Sequence, residues 1–187
     1  MTNHLFRLTA AVLVVGALSV GARASAAPGG FQEDYLAQLG DVEKKLMSLE
    51  DAMPPAKMSW RPDKGVRSVS EVYLHVAFGN YGFLKSVGID PPADAGVSAD
   101  AAKWDTKTTD KAEIKKVMEK SFEHVRTSVK AIPDADLDQK IKLFGKFEMT
   151  KRAALIALIA HINEHLGQSI AYARTNKIAP PWSKKGS

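Results

Sequence analysis

Apolar side chains recur every three or four residues in four stretches of about 20 residues, and proline closes each stretch. In residues 31–53 the apolar positions are Tyr35, Leu39, Val42, Leu46, Leu49 and Met53, stepping by 4, 3, 4, 3 and 4. That spacing puts one stripe down one side of a helix. Pro54-Pro55 cannot continue it. Ser68-Val69-Ser70-Glu71 spells a capping box, and the run it opens, 68–87, carries Val69, Val72, Tyr73, Val76, Phe83 and Leu84 near one face. Gly88 and Pro91-Pro92 end that run. Residues 109–132 repeat the pattern with Ile114, Val117, Met118, Phe122, Val125, Val129 and Ile132, ahead of Pro133. Thr150 caps a last run that reaches residue 176, with Leu155, Leu158, Ile159, Ile162, Leu166 and Ile170 inside and Pro180-Pro181 beyond.

Four such segments without a strong strand signal predict an all-α chain, folded over residues 31–183 as a four-helix bundle. Residues 91–108, rich in small and polar types, read as a loop. Residues 138–149 alternate weakly (Ile141, Leu143, Phe147) around Gly145, which predicts an extended loop or a short hairpin. The first and last helix connections are long for a simple up-down bundle, so at least one of them packs over an end.

Residues 8–20 are almost wholly apolar, follow Arg7, and precede small residues including Ala24-Ser25-Ala26. This is the pattern of a secretory signal peptide over residues 1–26, and the run is too short to span a bilayer as a helix. An exported, periplasmic or secreted protein without a stable membrane anchor is therefore expected. Removal of the leader takes Arg7 and Arg23 and leaves 24 basic against 21 acidic residues. So mild a charge, without a dense basic block, argues against nucleic-acid binding. The chain has no cysteine, which excludes thiol catalysis, cysteine-ligated zinc, iron–sulfur clusters and a lipid anchor on cysteine.

Chemistry is carried by histidine. His161 and His165 are spaced i, i+4, which places both rings on one side of a helix about one turn apart and suits a shared metal ion. Such a pair also occurs in helices that bind nothing. With Leu155 at zero and about 100° per residue, His161 falls near 240° and His165 near 280°, on the flank of the apolar face. His75 falls near 240° when Val69 is zero, again on a flank. Three flank histidines from two helices can therefore converge at the side of the bundle near one end. Three nitrogen donors with a position left open describe a reactive rather than a structural site. His124, about 100° from the centre of its own stripe, reads as a boundary residue.

Gly79 lies one turn beyond His75, where a helical glycine costs about 1 kcal/mol against alanine. Either close approach of a ligand or tight helix packing explains it. Gln168, near 220°, and Tyr172, near 260°, share the histidine side, either lining a pocket or capping the bundle flank. His161–His165 also spells H-x-x-E-H, the inverted zinc-protease motif. That reading fails because Glu164 points near 180°, away from the core, and too little chain follows to supply the protease's distant glutamate.

The run HINEHLGQSIAYARTNKIAPPWS resembles the last helix of the DinB-like family, the DinB/YfiT group of metalloenzymes. The matching residues are His161, His165, Gly167-Gln168, Tyr172, Arg174 and Pro180-Pro181. Upstream, WRPDKGVRSVSEVYLHVAFGN resembles the family's second-helix block, whose histidine matches His75. The resemblance implies an up-down-down-up four-helix bundle holding one divalent metal ion, zinc or nickel, on His75, His161 and His165. Many relatives carry a second histidine just before the last ligand; Glu164 stands there instead. Some relatives are transferases using small cytosolic thiols, a role that fits poorly with export.

Two functions stay open at this point: a metal-dependent hydrolase or transferase acting on an unidentified small molecule, and a non-catalytic module for a metal or small ligand. A bundle of this size is also compatible with pairing into a homodimer through a flat helix face.

Overall fold

A computed structural model describes residues 30–183; the expected leader lies outside the described residues. Three of the four long helices start at a side chain that caps their first amides. α1, Phe31–Ala52, follows Gly30 and ends at Met53 before the proline pair. α2, Val69–Ser86, opens on the complete Ser68–Glu71 capping box: Glu71 N–H donates to Ser68 Oγ at 3.3 Å and Ser68 N–H to Glu71 Oε2 at 3.0 Å. α4, Lys111–Ala131, is capped by Asp110, and α5, Lys151–Thr175, by Thr150.

The apolar stripes become the core. Leu39, Leu46 and Leu49 of α1, Val72, Val76 and Leu84 of α2, Ile114, Phe122 and Val125 of α4, and Leu155, Leu158 and Ile162 of α5 are all buried. α1 packs on α4 and α5, and α2 packs on the same two helices. Polar contacts show the directions. Lys111, at the start of α4, donates to the carbonyls of Asp51 and Met53 at the end of α1. Gln32, at the start of α1, donates to Ile132 O just past the end of α4. Those two helices are antiparallel. α2 and α5 are antiparallel as well, since His75 meets His165 while Phe83, two turns on, meets His161.

Residues 138–149 resolve as a hairpin. β1, Lys140–Leu143, pairs antiparallel with β2, Phe147–Thr150, with Leu143 opposite Phe147. The three-residue turn between them, Phe144 to Lys146, holds Phe144 at φ 51° and Gly145 at φ 72°, left-handed conformations that suit a tight hairpin turn. Phe144 pays for that conformation by packing: its ring meets Phe83 of α2 edge-on at 4.9 Å.

The expected loop over residues 91–108 is not continuous. It contains a short helix, α3, Ala101–Asp105, capped by Asp100, whose side chain accepts from the amides of Ala102 and Lys103. Five residues are too few to show a helical period. Tertiary contact holds the segment in place: Trp104 is buried, and its indole N–H donates to Leu74 O of α2 at 2.7 Å.

Glu50 sits on the apolar stripe of α1, fully buried, with neither carboxylate oxygen hydrogen-bonded. Burial, opposed by Lys111, pushes its carboxyl from the usual 4.5 up to about 7. Between those values the folded chain keeps a proton that the unfolded chain has released. The contribution of Glu50 to stability is therefore fullest below its ordinary value and falls by about 2–3 kcal/mol as pH rises through 7. Glu50→Gln, which cannot ionise, is expected to melt later than the wild type at about pH 8 and at a similar temperature near pH 5. Parallel melting curves across that range for the two proteins would rule out the effect.

Candidate metal centre

The packing of α2 against α5 brings His75, His161 and His165 together. Each offers a ring nitrogen, and the three lie within 4.8 Å of one another. The ring centroids are 4.6–5.2 Å apart, with His161 and His165 nearly perpendicular at 78°. His165 is buried; His75 and His161 are half-buried. Three nitrogens so close, none separated by a bulky side chain, can share a single cation.

Two of the three rings, His165 and His75, have a supporting group behind them. The Tyr172 hydroxyl donates to Arg67 O at 3.0 Å, so it accepts from Gln168 Nε2 at 2.9 Å. That fixes the amide with Oε1 towards His165 Nδ1, also at 2.9 Å. His165 then carries its proton on Nδ1 and presents Nε2 as a lone pair. Gln168 and Tyr172 therefore act as a buttress behind His165 and are not exposed pocket walls. Tyr172 is itself held edge-on by Trp60 at 5.3 Å.

His75 Nδ1 lies 3.3 Å from Asp105 Oδ2, off the line of a good hydrogen bond. The same oxygen accepts from Arg67 Nε at 2.9 Å. Burial raises the Asp105 carboxyl, but His75 and Arg67 outweigh it and hold the group below its usual range. An ionised carboxylate behind a ligating imidazole is a common support of metal sites. Neither Asp105 nor Arg67 is apparent from sequence pattern; Asp105 depends on α3, which has no periodicity to reveal it.

His161 has no such support. Its Nδ1 is buried and makes no hydrogen bond. Burial first, then its neighbours His165, His75 and Arg67, pull its pKa down to about 3. Burial likewise lowers His165, with His75 and Arg67 acting in the same sense against the Gln168 hydrogen bond. Both rings are neutral near pH 7, which is the form that binds metal.

Gly79 faces His161 directly: a Cβ there would stand 2.4 Å from the ring carbon Cε1. The glycine makes room for the ring, so helix packing and the site are one requirement. Phe83 lies 5.6 Å from His161 and closes that flank with Phe144. Glu164 is exposed, as its angle on the helix predicts. His124 stands apart from the trio, 5.5 Å from Tyr81 on another flank, with its pKa lowered by burial. A cleft of about 570 Å³ between α2 and residues 90–99 is lined by none of the histidines. Donor geometry, not cavity size, marks the site.

A neutral donor set, an orphaned buried nitrogen and a glycine cradle together fit a divalent ion. A profile described as the DinB superfamily matches residues 38–169, a span containing all three histidines. The chain belongs to the DinB superfamily. Two solved structures share the fold of this DinB chain. A DinB-like protein from Bacillus cereus superposes with a TM-score of 0.59 at 20% identity, covering 81% of this chain and 98% of that one. A DinB-like protein from Bacillus subtilis, YjoA, gives 0.59 at 17% identity, covering 77% and 92%. No curated protein matches the sequence at a significant level.

Proposed function

We propose that this DinB-superfamily protein is an exported metal-dependent hydrolase or transferase, with His75, His161 and His165 holding one zinc or nickel ion. The reading rests on one observation above others: three ring nitrogens, from two helices, within 4.8 Å. The same proposal takes the four long helices as an up-down-down-up bundle, supported by the antiparallel pairs α1–α4 and α2–α5.

When bound, a divalent ion supplies a Lewis acid at the trio. The chain's own groups do the rest. Gln168 and Tyr172 hold the His165 ring by a relay that ends on the backbone. Asp105 backs His75, and Phe83 keeps water from the far side of His161. Export is supported by the leader pattern in residues 1–26; among the described residues no helix is long and apolar enough to cross a membrane.

A second reading, a binding module without turnover, is favoured by the acids. Asp105 is committed to Arg67 and His75, and Glu164 faces away, so neither is free to serve as general base. Elemental analysis of the mature protein, purified without chelator or histidine tag, tests the shared premise. One zinc or nickel per chain is expected; metal-free protein that also takes up neither ion on addition would end both readings. Esterase, amidase and thiol-transfer assays on loaded protein then separate enzyme from module.

A further inference from the structure

One cation borders the trio, and most of its hydrogen-bonding capacity is unspent. Arg67 precedes the capping serine of α2, and its backbone is clamped. Its carbonyl accepts the Tyr172 hydroxyl, while Val69 N–H and Ser70 N–H, two and three residues on, donate to Trp60 O and Met58 O. The side chain leaves this fixed stem and its Nε donates to Asp105 Oδ2 at 2.9 Å, the same oxygen that lies 3.3 Å from His75 Nδ1. A single carboxylate oxygen thus separates the guanidinium from a ring of the trio.

Arginine has five N–H donors, and Nε is only one of them. The two Nη nitrogens find no partner among the described residues, and the side chain is 40% exposed while Asp105 is 9%. The outer edge of the guanidinium therefore faces solvent as a planar fork, with its inner edge pinned. Such a fork matches the two oxygens of a carboxylate or phosphate.

Charge balance points the same way. Arg67 and Asp105 cancel, and ligating imidazoles are neutral. A divalent ion held there is left without a counter-charge from the protein, so an anionic ligand is the natural complement.

We infer that Arg67 is a substrate-binding residue, whose Nη edge takes an oxyanion group, carboxylate or phosphate, of the molecule that sits on the three-histidine centre. The inference rests on the metal reading above and narrows its substrate to an anion. A purely structural Arg67, serving only to hold Asp105, would alter metal affinity and leave anion affinity at full metal loading unchanged.

The test uses the full mature chain loaded with cobalt(II), whose visible bands report ligands entering the site. Acetate and inorganic phosphate are titrated separately into the wild type, Arg67→Gln and Arg67→Lys, with cobalt content measured for each. The wild type is expected to bind one anion better, which assigns carboxylate or phosphate. Arg67→Gln is expected to weaken that anion about 10- to 100-fold at full loading, the worth of a charged hydrogen bond or pair of them. Arg67→Lys, a point charge without the fork, is expected to fall between. Equal affinity in wild type and Arg67→Gln, or no spectral response to either anion in the wild type, overturns the role of Arg67 and leaves the metal centre standing. A wild type that takes up no cobalt overturns the metal reading itself. Should Arg67→Gln shed its cobalt, Arg67→Lys decides: a loss of about 10-fold upholds the inference, and wild-type affinity overturns it.

Discussion

His161→Ala is expected to leave the protein folded and unable to retain zinc or nickel. Removing this side chain takes away one of three donors whose nitrogens lie within 4.8 Å. Structural zinc contributes about 10–16 kcal/mol across four ligands, so a single ligand is worth roughly 3 kcal/mol, or at least 100-fold in affinity. The fold has little to lose. His161 Nδ1 is buried and unpartnered, so alanine removes an unsatisfied polar atom along with the ring. Two measurements check this together. Elemental analysis after gel filtration should show one ion per chain in the wild type and none in the variant. Added metal at about 100 times its Kd should stabilise the wild type by about 2.7 kcal/mol and the variant scarcely at all. Undiminished metal content in His161→Ala would remove this residue from the ligand set.

Gly79→Ala separates stability from function in a different way. An alanine in a helix interior normally gains about 1 kcal/mol over glycine. Here the new methyl would stand 2.4 Å from His161 Cε1 and 2.8 Å from Nδ1. The ring is the free end of a side chain and can swing away, so the chain still folds, with its melting temperature level or raised. The displaced ring then no longer meets His75 and His165, and metal affinity is expected to fall about 10- to 100-fold. Gly167, two residues past His165, is the control, because a Cβ there meets nothing within 4 Å. Gly167→Ala should keep full metal affinity. Tight binding in Gly79→Ala, or an equal loss in Gly167→Ala, would show that the glycine does not make room for the ligand.

Glu50 illustrates how far periodicity reads. It lies one position after Leu49 on the face that carries Leu46 and Met53, and a stripe of apolar positions leaves it out. The packing of α1 against its neighbours buries it all the same. The apolar stripes themselves predicted most of the core, with Val117, Ile159 and Ile170 left only half-buried and Ile156, outside the stripe, exposed. The site was partly legible for the same reason. His161 and His165 share one helix, so their spacing states their proximity, and His75 announces its flank by its angle. The supports behind them were not legible. Asp105 reaches His75 only because Trp104 docks α3 onto α2, and Arg67 reaches Asp105 only through the clamped approach to Ser68.

Helix limits, buried faces and the histidine pair follow from interactions between residues a few positions apart: caps, proline stops and the 3.6-residue turn. Order along the chain was enough to read them. Which helix lies against which, and hence that His75 meets His165 while Gly79 makes room for His161, depends on how side chains of distant segments interlock. That interlocking is a property of shape and volume summed over the whole core, so it appears only when the segments are assembled.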